Sequence, residues 1–453
     1  MSSPLPTQKT ESTIPARPVG RLLTVLGVFF GISVIIGNTI GSGILRTPGQ
    51  IAQLLPSAPL FLGVWILGAV YAGLGANALA ELGTMMPESG GFMVFVRRGL
   101  GPFPGFVMGW SDWLSTCSSA AVGALLVGEY FVALTGVGMG LSTPIASAVV
   151  IAFALIQWAG VMAGSRAQTV TSVAKTAAFI ALIVACFALG PGFSAVREKN
   201  VNLPHGFALF TALVISMQAV IFTYDGYYAV TYFSGEVKNP GRDIPRSIFG
   251  GLASIAVIYL LVNVAFLYVL PMSKIAGAPL AAAAAARAVL GPQGDTALRV
   301  LTIVSLLSAV NAFQLMASRV LYRLGAQGFL PAAERVNVGG TPVVGLLLST
   351  IVVLAMILTG TVELVIALTA FFFVANYVLT FGSLLRLRKT EPAAPRPYRA
   401  KGHPLTTWGV FVVSLVFLLG AVAADTRNSI YSLILLALSW PLYLLVRPKV
   451  VAQ

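Results

Sequence analysis

Two short stretches carry residues suited to holding a ligand with a charge at each end. The first is Gly37-Asn38-Thr39-Ile40-Gly41-Ser42-Gly43, followed by Pro48-Gly49; the second is Phe222-Thr223-Tyr224-Asp225-Gly226-Tyr227-Tyr228. Both interrupt long apolar runs. Glycine inside a helix costs up to about 1 kcal/mol relative to alanine and proline about 3, so a helix is prone to break at such places. A break leaves free N–H groups at the start of one half-helix and free carbonyls at the end of the other. A carboxylate suits the first and an ammonium the second, and glycine lets the backbone approach the ligand closely. The ligand chemistry implied is that of a small zwitterion. Gly37 and Gly41 also fit a small-residue packing face of the GxxxG kind. What favours a break is the second interrupted run, with an acidic residue at its middle.

Other charged residues are fewer and more ambiguous. Lys175 sits in the apolar Ser172-Val173-Ala174-Lys175-Thr176-Ala177, where a cation marks a functional site by default; snorkelling is the alternative, because Arg166 lies only about two turns earlier. Asp225 either meets the ligand's ammonium or caps a broken helix. Glu81 and Glu88 are expected to pair with Arg97 and Arg98, and Asp112 and Glu129 to be solvated near the interfaces. Arg46 either faces an outer vestibule or snorkels. The two cysteines, Cys117 and Cys186, lie in apolar runs and the two histidines, His205 and His403, stand alone, which leaves no disulfide framework and no metal set. No P-loop, HExxH or paired intramembrane acid–base set is present, and no repeated filter. Enzyme and channel readings are therefore set aside, and neither cofactor nor metal is expected.

The elements that must position these residues follow from composition. The 453 residues are 57% hydrophobic and 9% charged, with a mean hydropathy of +0.90, which excludes a soluble domain. The continuous runs rich in Ala, Leu, Gly and Val exclude an alternating barrel. An all-α integral membrane protein with twelve transmembrane helices is expected, at 22–54, 60–86, 103–134, 142–162, 169–189, 206–235, 244–270, 296–328, 342–359, 361–386, 406–424 and 428–446. Residues 1–20 read as a polar tail. The net charge of +14 is explained by topology and not by nucleic acid: Arg197, Lys199, Lys274, Arg287, Arg299 and Arg427 fall on one side and Arg46 and Lys175 within spans, leaving 20 of the 28 basic residues on the other. That side is inside, and both termini with it.

On these residues the chain resembles the amino acid-polyamine-organocation superfamily of transporters, specifically prokaryotic relatives of the L-type amino acid transporter branch. Ile40-Gly41-Ser42-Gly43-Ile44 is similar to its first-span break, Ala80-Glu81-Leu82-Gly83 with Pro87-Glu88-Ser89-Gly90-Gly91 to its second-span end, and Tyr224-Asp225-Gly226 to its sixth-span break. Gly235 to Arg246, Ser318 to Tyr322 and Gly328-Phe329-Leu330-Pro331 match further stretches. The resemblance implies a LeuT-type fold: a tail over 1–21, inverted five-helix repeats over 22–189 and 206–388 with helices 1 and 6 broken, two C-terminal helices over 406–446, and a tail over 447–453. It implies substrate binding at Ile40, Gly41, Ser42, Gly43, Phe222, Tyr224, Asp225 and Gly226. The carboxylate would sit on the backbone of Ser42 and Gly43, the ammonium on carbonyls of Ile40, Phe222 and Asp225, and Phe222 would act as a lid. Lys175, supported by Tyr259, would stand where sodium-coupled relatives hold sodium; core packing is the other reading of Tyr259. Tyr227 departs from the tryptophan of many members and Asp225 from the glycine usual in the animal light chains, so side-chain selectivity does not transfer from them. The heavy-chain cysteine of the animal light chains has no counterpart between Thr135 and Leu141, so no disulfide-linked partner is expected. The implied activity is sodium-independent exchange of neutral L-amino acids in the plasma (inner) membrane, with an amino acid and membrane lipids as partners and no nucleic acid. A proton-coupled symporter, or a cationic amino acid or polyamine carrier, is the alternative.

Overall fold

A computed structural model of the chain describes residues 21–41, 43–193, 203–424 and 426–447. Among these the protein is helical, with no strand and only two isolated bridges, Leu26–Val237 and Val336–Pro342. The helices are α1 (Val28–Thr39), α2 (Gly43–Leu54), α3 (Ala58–Met85), α4 (Phe92–Leu100), α5 (Pro102–Thr135), α6 (Ser142–Trp158), α7 (Val161–Leu189) and α8 (Phe207–Thr223). They continue as α9 (Pro240–Val269), α10 (Met272–Ile275), α11 (Ala281–Leu290), α12 (Gln293–Ala326), α13 (Val343–Thr359), α14 (Val362–Thr390), α15 (Leu405–Ala424) and α16 (Thr426–Val446). Eight stretches are long and apolar enough to cross a membrane, namely α3, α5, α6 extended back through the 3-10 turn from Met139, α7, α9, α12, α15 and α16, and α1 with α2, bent by 49°, makes a ninth candidate. Helices α8 and α13 have 17 residues each, about 25 Å against the roughly 30 Å of a hydrocarbon core.

Burial grades the bundle from centre to edge. The apolar window of α12 is 78% buried, against 17% for α15 and for α16. A central helix must satisfy its polar groups internally, and α12 does so through a column shared with α1, α6 and α7. Ser172 Oγ donates to Ser33 O at 2.7 Å and lies 2.9 Å from Ser308 Oγ; Asn311 Nδ2 donates to Gln168 Oε1 at 2.8 Å, and Gln157 Nε2 to Asn311 Oδ1 at 2.9 Å. Gly37 is part of this packing, since a Cβ there would lie 1.9 Å from Gln168 Nε2.

Three elements depart from the sequence reading. The fourth and fifth spans meet at Gly160, whose φ of +140° breaks the run several residues before the expected boundary. Residues 92–100 form α4 instead of a plain loop, entered through Gly90 and Gly91 at positive φ. The connection after α9 also contains α10 and α11. All three new helices are too short to register in a window tuned to membrane spans.

Candidate functional site

The first interrupted run ends α1 at Thr39 and starts α2 at Gly43. Ile40 leaves the helical region, with φ −75° and ψ 100°. The carbonyls at this end are claimed by side chains from three other helices. Lys175, on α7 and 0% exposed, donates from Nζ to Gly37 O at 2.8 Å and to Ile40 O at 2.5 Å. Ser305 Oγ, on α12, donates to Ile40 O at 3.1 Å. Tyr259, on α9, places its hydroxyl 3.0 Å from both Thr39 O and Thr223 O. Full burial and two carbonyl partners remove the snorkelling alternative for Lys175, and Tyr259 is a hydrogen-bonding link besides being packed. A carbonyl oxygen offers two lone pairs, and both on Ile40 are engaged.

Glycine has two distinct uses here. A Cβ on Gly41 would meet nothing within 4 Å, whereas one on Gly43 would lie 3.1 Å from Thr223 Cγ2. Gly37 is thus a packing glycine, Gly41 is open, and Gly43 lies against the end of α8. Ser42 lies outside the described residues. Arg46, one turn into α2, is exposed.

The second interrupted run ends α8 at Thr223 and continues through turns into a 3-10 segment, Ala229–Glu236. Gly226, at φ +112°, packs so closely on the first run that a Cβ would lie 2.6 Å from Thr39 Oγ1, and its carbonyl accepts from Asn38 Nδ2 at 3.4 Å. Thr47 and Thr223 hydroxyls meet at 2.9 Å. The two runs therefore cross. The Asp225 carboxylate accepts from Tyr228 OH at 3.1 Å on one oxygen and from Tyr377 OH, on α14, on the other. Tyr224 is buried against Tyr259 and Trp65, with ring centroids 5.0 and 6.2 Å away. Phe222 is 63% exposed and rests against Phe373 at 5.6 Å, not folded over the crossing. Tyr71, Phe222, Asp225 and Tyr377 enclose a cavity of about 10 Å³, room for about one water.

Several acidic residues lie elsewhere than the sequence suggested. Asp112 is 6% exposed, not solvated, and both its oxygens accept from Tyr232 OH at 3.0 and 2.8 Å. Its position two residues after Trp110 on a long apolar helix gave no sign of which face it occupied. Glu81 pairs with Arg388 at 2.6 Å and Arg396 at 3.0 Å, and Glu88 with Arg323, not with Arg97 or Arg98. Arg98 instead pairs with Glu391 at 2.6 Å. Glu129 is exposed, as expected. Glu236 and Arg319 form a fully buried bidentate pair at 3.0 and 2.9 Å; the motifs holding them were recognised, but their partnership spans 83 residues.

A bundle of apolar helices with carbonyls and buried charge gathered at its interrupted runs has the build of a membrane carrier. Residues 23–444 match the family model described as amino acid permease. The chain belongs to that family, and within the amino acid-polyamine-organocation superfamily to the L-type branch. It is 28% identical over 429 residues to the serine/threonine exchanger SteT of Bacillus subtilis (strain 168), covering 92% of this chain and 95% of that one. Over 397 residues it is 31% identical to solute carrier family 7 member 13 of Mus musculus, covering 84% and 81%. To the b(0,+)-type amino acid transporter 1 of Mus musculus it is 26% identical over 415 residues, covering 88% and 83%. These relatives are transporters and exchangers, not enzymes, and the chain is a membrane protein of the same kind.

Proposed function

We propose that the protein is a sodium-independent exchanger of neutral L-amino acids working by alternating access, with substrate held where α1–α2 crosses the Thr223–Glu236 segment. The observation that carries this reading is Lys175. Its ammonium lies on Gly37 O and Ile40 O at the end of α1, where a bound metal cation would otherwise satisfy the same carbonyls. A resident cation leaves no role for sodium. On this reading the substrate carboxylate takes the N-terminal end of α2 at Ser42 and Gly43. Its ammonium takes the backbone near Phe222 to Gly226, Ile40 contributing by holding Lys175. Phe222 serves as the lid only after moving inward. The serine/threonine specificity in the name of the bacterial relative supports a small neutral substrate.

The architecture proposed with it is twelve spans, two inverted repeats over 22–189 and 206–388 and two added helices over 406–446, in the plasma membrane with both termini cytoplasmic. No disulfide-linked heavy chain is proposed: the chain has two cysteines, and both are buried. A second reading, a proton-coupled or cationic-substrate carrier, draws on Asp112 and Asp225, two carboxylates held by tyrosine hydroxyls. Reconstituted protein tested for counterflow of labelled serine, alanine, leucine and arginine, with sodium, potassium or choline outside, separates the readings. Exchange of neutral amino acids unaffected by the cation is expected. Uptake that requires sodium would overturn the role of Lys175. Arginine outcompeting the neutral set, or uptake driven by a pH gradient with no internal amino acid, would install the second reading.

A further inference from the structure

A further cavity lies at helix ends that take no part in the helix crossing. It has a volume of about 280 Å³ and is lined by Glu88 just beyond α3, Arg97 and Arg98 on α4, Pro102 at the start of α5, and Arg323 and Gln327 at the end of α12. Arg323 is paired with Glu88, and Arg98 with Glu391. Arg97 has no carboxylate partner among the described residues, so three arginines against two glutamates leave one positive charge. Gln327 is 7% exposed, yet neither its Nε2 nor its Oε1 has a hydrogen-bond partner among the described residues, and neither does Arg323 Nε. A buried polar atom left unpaired is costly, so both the charge and the orphaned amide ask for the same thing: an anion with several oxygens.

We propose that this cavity binds a phosphate group carrying a single negative charge, as in a phosphodiester, and that the source is a phospholipid headgroup. One negative charge neutralises the excess on Arg97. The planar guanidinium forks of Arg97 and Arg323 match adjacent phosphate oxygens, and the Gln327 amide donates to a third while its Oε1 accepts from a headgroup hydroxyl. The volume falls just below the usual range of small-ligand sites, enough for a headgroup whose chains stay outside. The neighbouring aromatic residues favour a lipid over free phosphate. Phe103, next to the lining Pro102, packs on Trp440 at 4.8 Å and Tyr443 at 5.5 Å, an aromatic group of the kind found at headgroup level. Bound there, the phosphate fastens α4 to the ends of α3 and α12.

Thermal unfolding of the full-length protein in detergent tests this. Phosphatidylglycerol titrated into the protein in phosphate-free maltoside micelles should raise the unfolding midpoint saturably. Arg97→Gln should weaken the half-saturation point by about tenfold, the loss of one charge-assisted contact. Gln327→Met should also weaken the lipid response, while unfolding no earlier than wild type without lipid, because it removes two unpaired buried atoms. Lys389→Gln, a basic residue at the end of α14 outside the cavity, should respond as wild type does. Inorganic phosphate is the second probe: a saturable shift with phosphate alone, lost in the same variants, keeps the cavity and makes free phosphate its ligand. No shift with either probe, or equal shifts in wild type, Arg97→Gln and Gln327→Met, overturns the proposal. Should Arg97→Gln fail to fold, Gln327→Met carries the same test.

Discussion

The two interrupted runs cross at one place and are held by opposite chemistry. At the first, a cation and two hydroxyls, from Lys175, Ser305 and Tyr259, sit on backbone carbonyls that a finished helix would have used itself. At the second, a side-chain anion is held in place: Asp225 by two tyrosines, with Asp112 on Tyr232 and Glu236 on Arg319 nearby. The first run thus keeps its shape by having its backbone satisfied from outside, the second by anchoring its own side chains to neighbouring helices. Loosening the first should disturb ligand binding before stability, and loosening the second should disturb the fold.

The largest effect expected on stability belongs to the second run. Arg319→Ala leaves Glu236 charged and buried alone, which costs about 3–5 kcal/mol. Detergent-solubilised protein should unfold far earlier or fail to accumulate. Replacing both partners with apolar residues should restore much of the loss, because the desolvation cost goes with the pair. An Arg319→Ala protein as stable as wild type would remove the second run's distinctive support and with it the comparison.

Lys175→Ala should come next, on transport. It leaves Gly37 O without its ammonium partner, a buried group costing about 1–3 kcal/mol when unmet, and Ile40 O with Ser305 alone, and most exchange should be lost while the protein remains foldable. Sodium in the assay sharpens the result: partial rescue of Lys175→Ala by sodium, with no effect on wild type, would show the carbonyls accepting a metal in place of the ammonium. Full activity in the variant would mean the first run does not depend on its cation. Gly43→Val is a steric counterpart. Its Cβ would sit 3.1 Å from Thr223 Cγ2 and its methyl groups closer still, an overpacking cost of about 1–3 kcal/mol. Exchange should fall to background with an unfolding midpoint only modestly lowered, and normal exchange would place the substrate elsewhere.

The sequence exposed the first run more fully than the second, for a physical reason. A lysine in an apolar run and glycines flanking a polar pair are local anomalies, and Lys175 needed only its neighbours to stand out. The partners of Glu81, Glu88, Asp112 and Glu236 are set by helices packed from distant parts of the chain, and charge alone does not say which basic residue arrives. Proximity in sequence suggested Arg97 and Arg98; packing delivered Arg388, Arg396 and Arg323. The use of Ile40 was hidden for the same reason. Its carbonyl looks free from the break alone and is filled only once α7 and α12 are in place. The all-helical, membrane-spanning character, by contrast, was legible because each long helix depends on its own run of apolar residues, whereas the break at Gly160 and the short helices α4, α10 and α11 escaped.

The smallest effect is the one that tests whether the two runs act together. The Tyr259 hydroxyl lies 3.0 Å from the last carbonyl of α1 and 3.0 Å from that of α8. A single O–H can donate fully to only one of them at a time, so its value lies in the link more than in either bond. Interhelical hydrogen bonds in membranes are worth about 0.6 kcal/mol on average and up to about 1.7, so Tyr259→Phe should lower stability only slightly. Its effect on exchange depends on what the link does. If α1 and α8 separate during the cycle, the hydroxyl stabilises only the conformation in which both ends meet, and removing it shifts the population toward the other by the same small energy. Exchange should then change by about threefold, the equivalent of that energy, with Tyr259→Phe and Lys175→Met failing to add in a double-mutant cycle. Additive effects would mean that the two runs, though they touch, are held independently, and that the crossing is a place of contact without coupling.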